Sequence, residues 1–376
     1  MSLGSKKHCK ILILFYEPFL SGISRHIRYL LQVVKDENIE FWLLCSSDDQ
    51  KIPAFLADVV PKDHLTMVQP SRFFSLEGLV TARKIIQKNH IDLVHIHNLQ
   101  SAIWGYGSTF FTRCKKIIFT PHVDSFGENS NYQGSRYLLK LLSPFTAFFI
   151  AVSSSQQNRF KHWKIAHTHK IQLIRNHIDT TRIETCSQSH SNIVNELNIP
   201  SSSVIVMQIG RLDRQKNPLS LLRIIKEVTK RCNNSHFLFI GDGPLRKKLE
   251  IQIKRDNMMS HVTLLGYRKN IHQLTKTVDI ITSTSRWEGL PYSLIEASFF
   301  KKAIVATDIP GHSDLINTGT SGFLVKNEQE FADKLCKLIQ SKTLRTTMGE
   351  NFYRRNKELF SIENMRNSLS EIYTNS

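Results

Sequence analysis

The sequence predicts an α/β protein made of two doubly wound, Rossmann-like domains facing each other across a cleft. Three observations carry this expectation. Short apolar runs alternate with amphipathic stretches along all 376 residues, as parallel strands joined by helical crossovers do. One polar stretch, from about 176 to 200 and rich in Thr, Ser, Asn and His, interrupts the alternation as a linker would. Glycine- and proline-bearing loops follow several apolar runs, at what would be the carboxyl edge of a sheet, where such folds bind ligands. The expected domains are 1–180 and 181–356, with a closing helix, 357–376, packing back on the first.

In the first domain, residues 10–15 read as a buried strand, and Ser21-Gly22 opens a helix to about Val34. Residues 40–45 form a second strand. A helix over 76–89 precedes the strand 93–97, and further strands run over 116–120 and 147–152. The alternation resumes beyond the linker. Strand 204–209 is followed by a helix after Pro218, and strand 237–240 by a basic helix after Pro244. Strands 261–265, 279–281 and 303–305 complete a second sheet, and helices over 328–340, 344–359 and 363–373 close the chain. His95 and His97 alternate along their strand, so one is expected inside and one outside.

Composition bounds the function. With 41% hydrophobic and 22% charged residues the chain can bury sizeable cores. Six scattered cysteines without C-x-x-C spacing argue against a disulfide scaffold or a zinc site and suit a reducing cytoplasm. No apolar run has the length of a membrane span, and the polar N-terminus lacks the zones of a signal peptide. The formal charge of +18 is uneven: residues 101–260 hold 23 Lys and Arg against 10 Asp and Glu. That stretch attracts anions, whether nucleoside diphosphates, nucleic acid or acidic headgroups.

The motif with most chemistry is Ser285-Arg286-Trp287-Glu288-Gly289-Leu290-Pro291-Tyr292-Ser293-Leu294-Ile295-Glu296-Ala297. It reads as a loop after a strand, then a helix. Such a loop can aim a carboxylate and backbone N–H groups at a polyhydroxylated, anionic ligand. The plainer reading is a capping box, with Ser293 and Glu296 satisfying helix donors. Upstream, Gly210-Arg211-Leu212-Asp213-Arg214-Gln215-Lys216-Asn217-Pro218 projects two cations from one turn, suited to phosphate oxygens. Gly241-Asp242-Gly243-Pro244 is a tight turn that is neither a nicotinamide fingerprint nor a P-loop. Leu265-Gly266-Tyr267-Arg268 could line a base pocket, or Tyr267 could cover the core.

Read in order, these motifs resemble the retaining glycosyltransferases of family 4, which have the GT-B fold. Thr307-Asp308-Ile309-Pro310-Gly311 and Gly322-Phe323-Leu324-Val325 belong to the resemblance. More loosely, so do Gly22, His95-Ile96-His97-Asn98, Thr120-Pro121-His122 and Val152-Ser153. The resemblance implies that Arg211 and Lys216 bind the donor diphosphate and that Glu288 bonds hydroxyls of the donor sugar. It implies that backbone near Gly289, Leu290, Pro291 and Tyr292 meets sugar or phosphate, and that Glu296 holds the ribose. It further implies that Gly22 lets the chain approach the phosphate and that His122 touches the sugar. On the same resemblance, Gly210, Gly243 and Tyr267 are expected to complete the donor set, and Glu288, His122, Arg211 and Lys216 to form the catalytic group. The run Asn176-His177-Ile178-Asp179 departs from the Asn-Gly-Val/Ile-Asp of that family; keeping the same turn would force a positive φ on His177.

The implied reaction moves a sugar from a UDP- or GDP-sugar to an acceptor hydroxyl with retention, in bacterial surface polysaccharide or glycolipid synthesis. The donor is a substrate and no cofactor is expected. No metal is expected either, since the sequence has no convincing D-x-D and Asp48-Asp49 reads as solvated loop. The implied partners are the donor and a sugar or lipid-linked oligosaccharide acceptor, with no nucleic acid. Localisation is expected to be cytoplasmic, with peripheral contact at the inner face of an anionic membrane. Helix 132–142, with Arg136 and Lys140 among leucines, is the candidate for that contact; its plainer reading is a core-facing helix. The rival readings are a nucleotide-sugar epimerase and a non-catalytic basic module for membrane or nucleic acid.

Overall fold

The computed structural model describes residues 8–17, 20, 22–35, 38–70, 75–114, 116–122, 133–178, 183 and 193–374. It divides into two compact units, Met1–His177 with Phe360–Ser376, and Ile178–Leu359.

The first unit is built on a seven-stranded sheet, β1 (Cys9–Tyr16), β2 (Ile39–Ser46), β3 (Leu65–Val68), β4 (Leu93–His97), β5 (Lys116–Thr120), β6 (Phe148–Ala151) and β7 (Ile171–Leu173). The order is β3-β2-β1-β4-β5-β6-β7, and all pairs are parallel. Apolar clusters cover both faces, one around Leu12, Trp104 and Phe149, the other around Ile13, Leu30 and Leu369. A parallel sheet buried on both faces needs continuous rather than alternating apolar strands, which is why Ile11 to Phe15 are all fully buried. It also corrects the expectation for His95 and His97: both are fully buried. The helix Ile362–Thr374 belongs to this unit. Met365, Leu369, Ile372 and Tyr373 recur at helical spacing and enter its core. The Tyr373 hydroxyl bonds His95 Nδ1 at 2.8 Å, and Arg366 Nε donates to the Val33 carbonyl at 2.9 Å.

The second unit carries six parallel strands, β8 (Val204–Ile209), β9 (Ser235–Ile240), β10 (Val262–Gly266), β11 (Ile280–Ser283), β12 (Ala303–Thr307) and β13 (Phe323–Val325). Their order is β10-β9-β8-β11-β12-β13. β8 therefore lies between β9 and β11. The chain winds away from β8 in one direction and from β11 in the other. The carboxyl edge between these two strands is therefore the switch point at which open α/β sheets bind ligands.

Candidate functional site

In the second unit the two loops at the switch point are bonded to each other. The loop after β8 opens at Gly210, whose φ is 154°. A Cβ there would lie 2.9 Å from Lys216 Cε and 3.0 Å from its Cδ, so glycine makes room for the lysine stem. The Asp213 carboxylate accepts from the Lys216 N–H at 3.0 Å and closes the turn. Gln208 and Thr284 fix it from below by donating to the Lys216 carbonyl, at 3.1 and 3.0 Å. Asn217 then takes the left-handed conformation and Pro218 starts the helix Pro218–Arg231.

This framework brings Lys216 Nζ to 2.5 Å from Glu288 Oε1, with both side chains largely buried. Gln215 Nε2 donates to the Trp287 carbonyl at 3.1 Å and reaches Glu288 Oε2 at 3.4 Å, while the Arg286 N–H donates to the Gln215 carbonyl at 2.8 Å. Arg211, half-exposed, has its guanidinium 3.9 Å from Asp213. A cation and a carboxylate 72 residues apart in sequence are thus one ion pair. Behind it, a Cβ at Gly311 would come within 2.9 Å of Glu288 Cβ, so glycine lets the segment after β12 pack on the Glu288 backbone. His312 lies next to it, fully buried. Its Nδ1 donates to the Thr307 carbonyl at 2.7 Å, leaving Nε2 to accept from Ser283 Oγ at 3.0 Å. Burial pulls its pKa down to about 4, against the opposing pull of the Glu288 carboxylate.

Gly289, Leu290 and Pro291 lead into the helix Tyr292–Phe299, whose N-cap is Pro291 with no side-chain cap. Ser293 is therefore inside the helix rather than at its cap, and the capping-box reading of Ser293 and Glu296 is corrected. Glu296 is buried, with Oε2 3.6 Å from His272 Nε2. Gly243 packs against the Leu212 backbone, where a Cβ would lie 2.6 Å from the carbonyl oxygen. Tyr267 follows β10 and is 64% exposed, so it does not cover the core.

In the first unit, Gly22 is exposed at the start of the helix Gly22–Val33, with nothing near where a Cβ would stand. The buried carboxylate of Glu17 accepts from the Ile23 and Ser24 N–H groups at 3.2 and 3.0 Å, and from the Ser24 hydroxyl. It thereby occupies the positive end of that helix. His122 shares a hydrogen bond of 2.8 Å with His97 through its Nε2, stacks on the His97 ring and meets His26 edge-on, ring centroids 4.4 Å apart. His26 Nδ1 is 2.8 Å from Asn176 Oδ1. Burial lowers the pKa of His26 to about 4, and burial with neighbouring imidazoles holds His97 and His122 well below the ordinary range. Nitrogens of these three rings lie within 4.8 Å of one another.

His177 is not among the described residues with positive φ, so it does not carry the strain that the family's turn would impose; Asp179 lies outside the described residues, as does Ser21. Asp48 and Asp49 do lie in a loop, exposed and partly exposed, and the Asp49 carboxylate accepts from the Leu20 and Lys51 N–H groups, each at 2.9 Å. Sequence reasoning missed Glu17, His26, Gln215 and His312. Only the short spacing of Gln215 from Lys216 and of His312 from Gly311 could have flagged any of them.

Comparison with known proteins follows the same division. The family model "Glycosyl transferases group 1" matches residues 189–355, and "Glycosyltransferase Family 4" matches residues 20–182. An Escherichia coli UDP-Gal:alpha-D-GlcNAc-diphosphoundecaprenol alpha-1,3-galactosyltransferase is 23% identical over 97% of both chains. The crystal structure of Anabaena HepE with UDP and glucose superposes with TM-score 0.82 at 21% identity, covering 98% of this chain and all of that one. Sucrose-phosphate synthase from Thermosynechococcus elongatus superposes with TM-score 0.78 at 16% identity, over 97% and 98%. With both halves matched and each unit built on a parallel sheet, the chain belongs to glycosyltransferase family 4 and has the GT-B fold.

Proposed function

We propose that this glycosyltransferase moves a sugar, with retention, from a UDP- or GDP-sugar to a hydroxyl of a sugar or lipid-linked oligosaccharide acceptor in bacterial surface polysaccharide or glycolipid synthesis. The observation that carries this reading is the Lys216–Glu288 pair at the β8/β11 switch point. It sets a cation suited to a diphosphate beside a carboxylate suited to sugar hydroxyls. The E. coli relative, whose name gives a UDP-sugar donor and a diphosphoundecaprenol-linked acceptor, supports the substrate classes.

Breaking the anomeric C–O bond builds negative charge on the β-phosphate and positive charge on the sugar ring. Arg211 and Lys216 stabilise the first, together with N–H groups at the start of the helix Tyr292–Phe299. Glu288 holds donor hydroxyls, Glu296 the ribose, and Tyr267 with the backbone around Gly243 flanks the base. His122 is a further contact of the donor sugar, and Gly22 admits the phosphate. The acceptor hydroxyl attacks from the face the leaving group departs, and a donor phosphate oxygen takes its proton.

The test is transfer from a panel of UDP- and GDP-sugars to saccharides linked to polyprenyl diphosphate, with the anomeric configuration of the product read by NMR. Lys216→Ala and Glu288→Gln are each expected to cut turnover by about a hundredfold or more while the chain stays folded. Near-normal turnover in both variants would remove the site assignment. An inverted product would remove the retaining mechanism. Donor epimerised without any acceptor would replace transfer with the epimerase reading.

A further inference from the structure

The first unit has a surface that the transfer reaction does not use. The helix Leu99–Thr109 ends in Phe110 and Phe111, and the helix Gln133–Leu142 runs into the turn Ser143–Phe145. Both features precede strands, β5 and β6, so they lie at the amino edge of the sheet, opposite the histidine cluster. Phe110 and Phe145 touch, ring centroids 6.2 Å apart. Leu141 stands one helical turn before Phe145, and Tyr137 one turn before Leu141. These five apolar side chains are each more than half exposed. Leu139, on the other side of the same helix, is fully buried, so the helix is two-sided and the core-facing reading accounts for only one of its faces.

Phe111 is the most telling of them. It is 92% exposed and its φ is 60°. A bulky side chain in the left-handed region is strained, and an exposed phenyl ring loses the benefit of burial. The fold tolerates both costs at one residue, as happens where a residue is presented to a partner.

The charge of the region is mostly positive. Residues 93–123 contain three Lys and Arg and no acid, and residues 129–178 contain seven and no acid. Arg113, exposed, is two residues beyond Phe111, and Lys140 adjoins Leu141. Lys170 Nζ donates to the Thr146 carbonyl at 2.9 Å, at the foot of the turn that bears Phe145. Exposed Asp92 is the acid near Cys114, but cations outnumber it, and apolar side chains set among cations match an anionic bilayer, whose acyl boundary takes the rings and whose phosphates take the cations. A second copy of the chain would bring like charge against like charge. Nucleic acid would find phosphate partners here but no use for Leu141. No helix among the described residues is long and apolar enough to cross a membrane, so the contact is with the surface.

We infer that Phe110, Phe111, Tyr137, Leu141 and Phe145, with Arg113, Lys140 and Lys170, form a docking surface for an anionic phospholipid bilayer. The inference does not rest on the transfer reaction, and its test does not use that reaction.

The test is flotation of the full chain with phosphatidylglycerol-containing vesicles and with pure phosphatidylcholine vesicles. Wild type is expected to float with the anionic vesicles only, and less at high salt. The variant F110S/F111S/L141S, whose changes are all at exposed positions, is expected to keep its melting temperature and to lose at least about tenfold in partition. R113E/K140E is expected to lose binding by removing the cations alone. The inference is overturned if wild type ignores anionic vesicles or if the triple variant floats as wild type does. It is also overturned if the triple variant abolishes a wild-type dimer, or single-stranded DNA binding, while vesicle binding is unchanged.

Discussion

Substituting the two members of the Lys216–Glu288 pair should move nucleotide affinity in opposite directions. The Lys216 ammonium lies 2.5 Å from Glu288 Oε1, so a diphosphate that recruits this cation competes with the carboxylate. A hydrogen bond to a charged group contributes about 1.5–3 kcal/mol, against about 1 kcal/mol for a neutral one. Glu288→Gln keeps the shape and removes the charge, relieving about 1 kcal/mol of that competition, which is about fivefold tighter binding of UDP or GDP. Lys216→Ala removes the cation itself and should weaken the same nucleotide by about ten- to a hundredfold. Transfer falls in both variants, because the sugar loses its carboxylate in one and the leaving group its cation in the other. Isothermal titration with UDP and GDP, run beside initial rates, reads both effects. A pair that serves only to staple the loop after β8 to the loop after β11 would lose affinity on both substitutions. Weaker nucleotide binding by Glu288→Gln would therefore refute the competition argument.

Three further outcomes are expected. Glu296→Ala should weaken UDP by about tenfold and leave inorganic pyrophosphate unaffected, since the proposed contact is with the ribose; equal losses for both ligands would move Glu296 out of the nucleoside pocket. Gly311→Ala drives a Cβ into the Glu288 backbone, which should cost about 1–3 kcal/mol and reduce transfer more than nucleotide affinity; an unchanged melting curve and rate would show that this approach is not tight. Acidification should destabilise the chain between about pH 6.5 and pH 4. His26 and His312 are held to about 4 by burial, and His95, His97 and His122 lie well below their ordinary value. Over that window the unfolded chain binds these protons and the folded chain does not, so stability is full above pH 6.5 and falls as pH drops. His26 and His312 each contribute at most about 3 kcal/mol across that window, and four of the five groups are in the first unit, which should melt first. A melting temperature flat from pH 7 to pH 4.5 would contradict this.

Much of the architecture was legible because buried parallel strands carry a local signal. The apolar runs 93–97, 116–120 and 204–209 are β4, β5 and β8 to the residue, and the helices over 76–89 and 328–340 match as closely. A strand covered on both faces must be apolar throughout, and an amphipathic helix must repeat at its own period, so both are readable without knowing their neighbours. β3, β7 and β13 were not read. They have three or four residues each, too few for a period, and the sheet they extend is what makes them strands. The motifs that matter to the site were also local: the cations at 211 and 216 and the acids at 288 and 296 stand out by residue type and spacing.

The sequence by itself determined which chemical groups are available and which loops present them. Tertiary structure alone decided which groups meet. Lys216 faces Glu288 because β8 and β11, distant in sequence, are neighbours in the sheet. His26 finds Asn176 across 150 residues and His95 finds Tyr373 across 278. No local pattern encodes such pairs: each is set by strand order and by burial on both faces of a sheet, which depend on the whole chain at once.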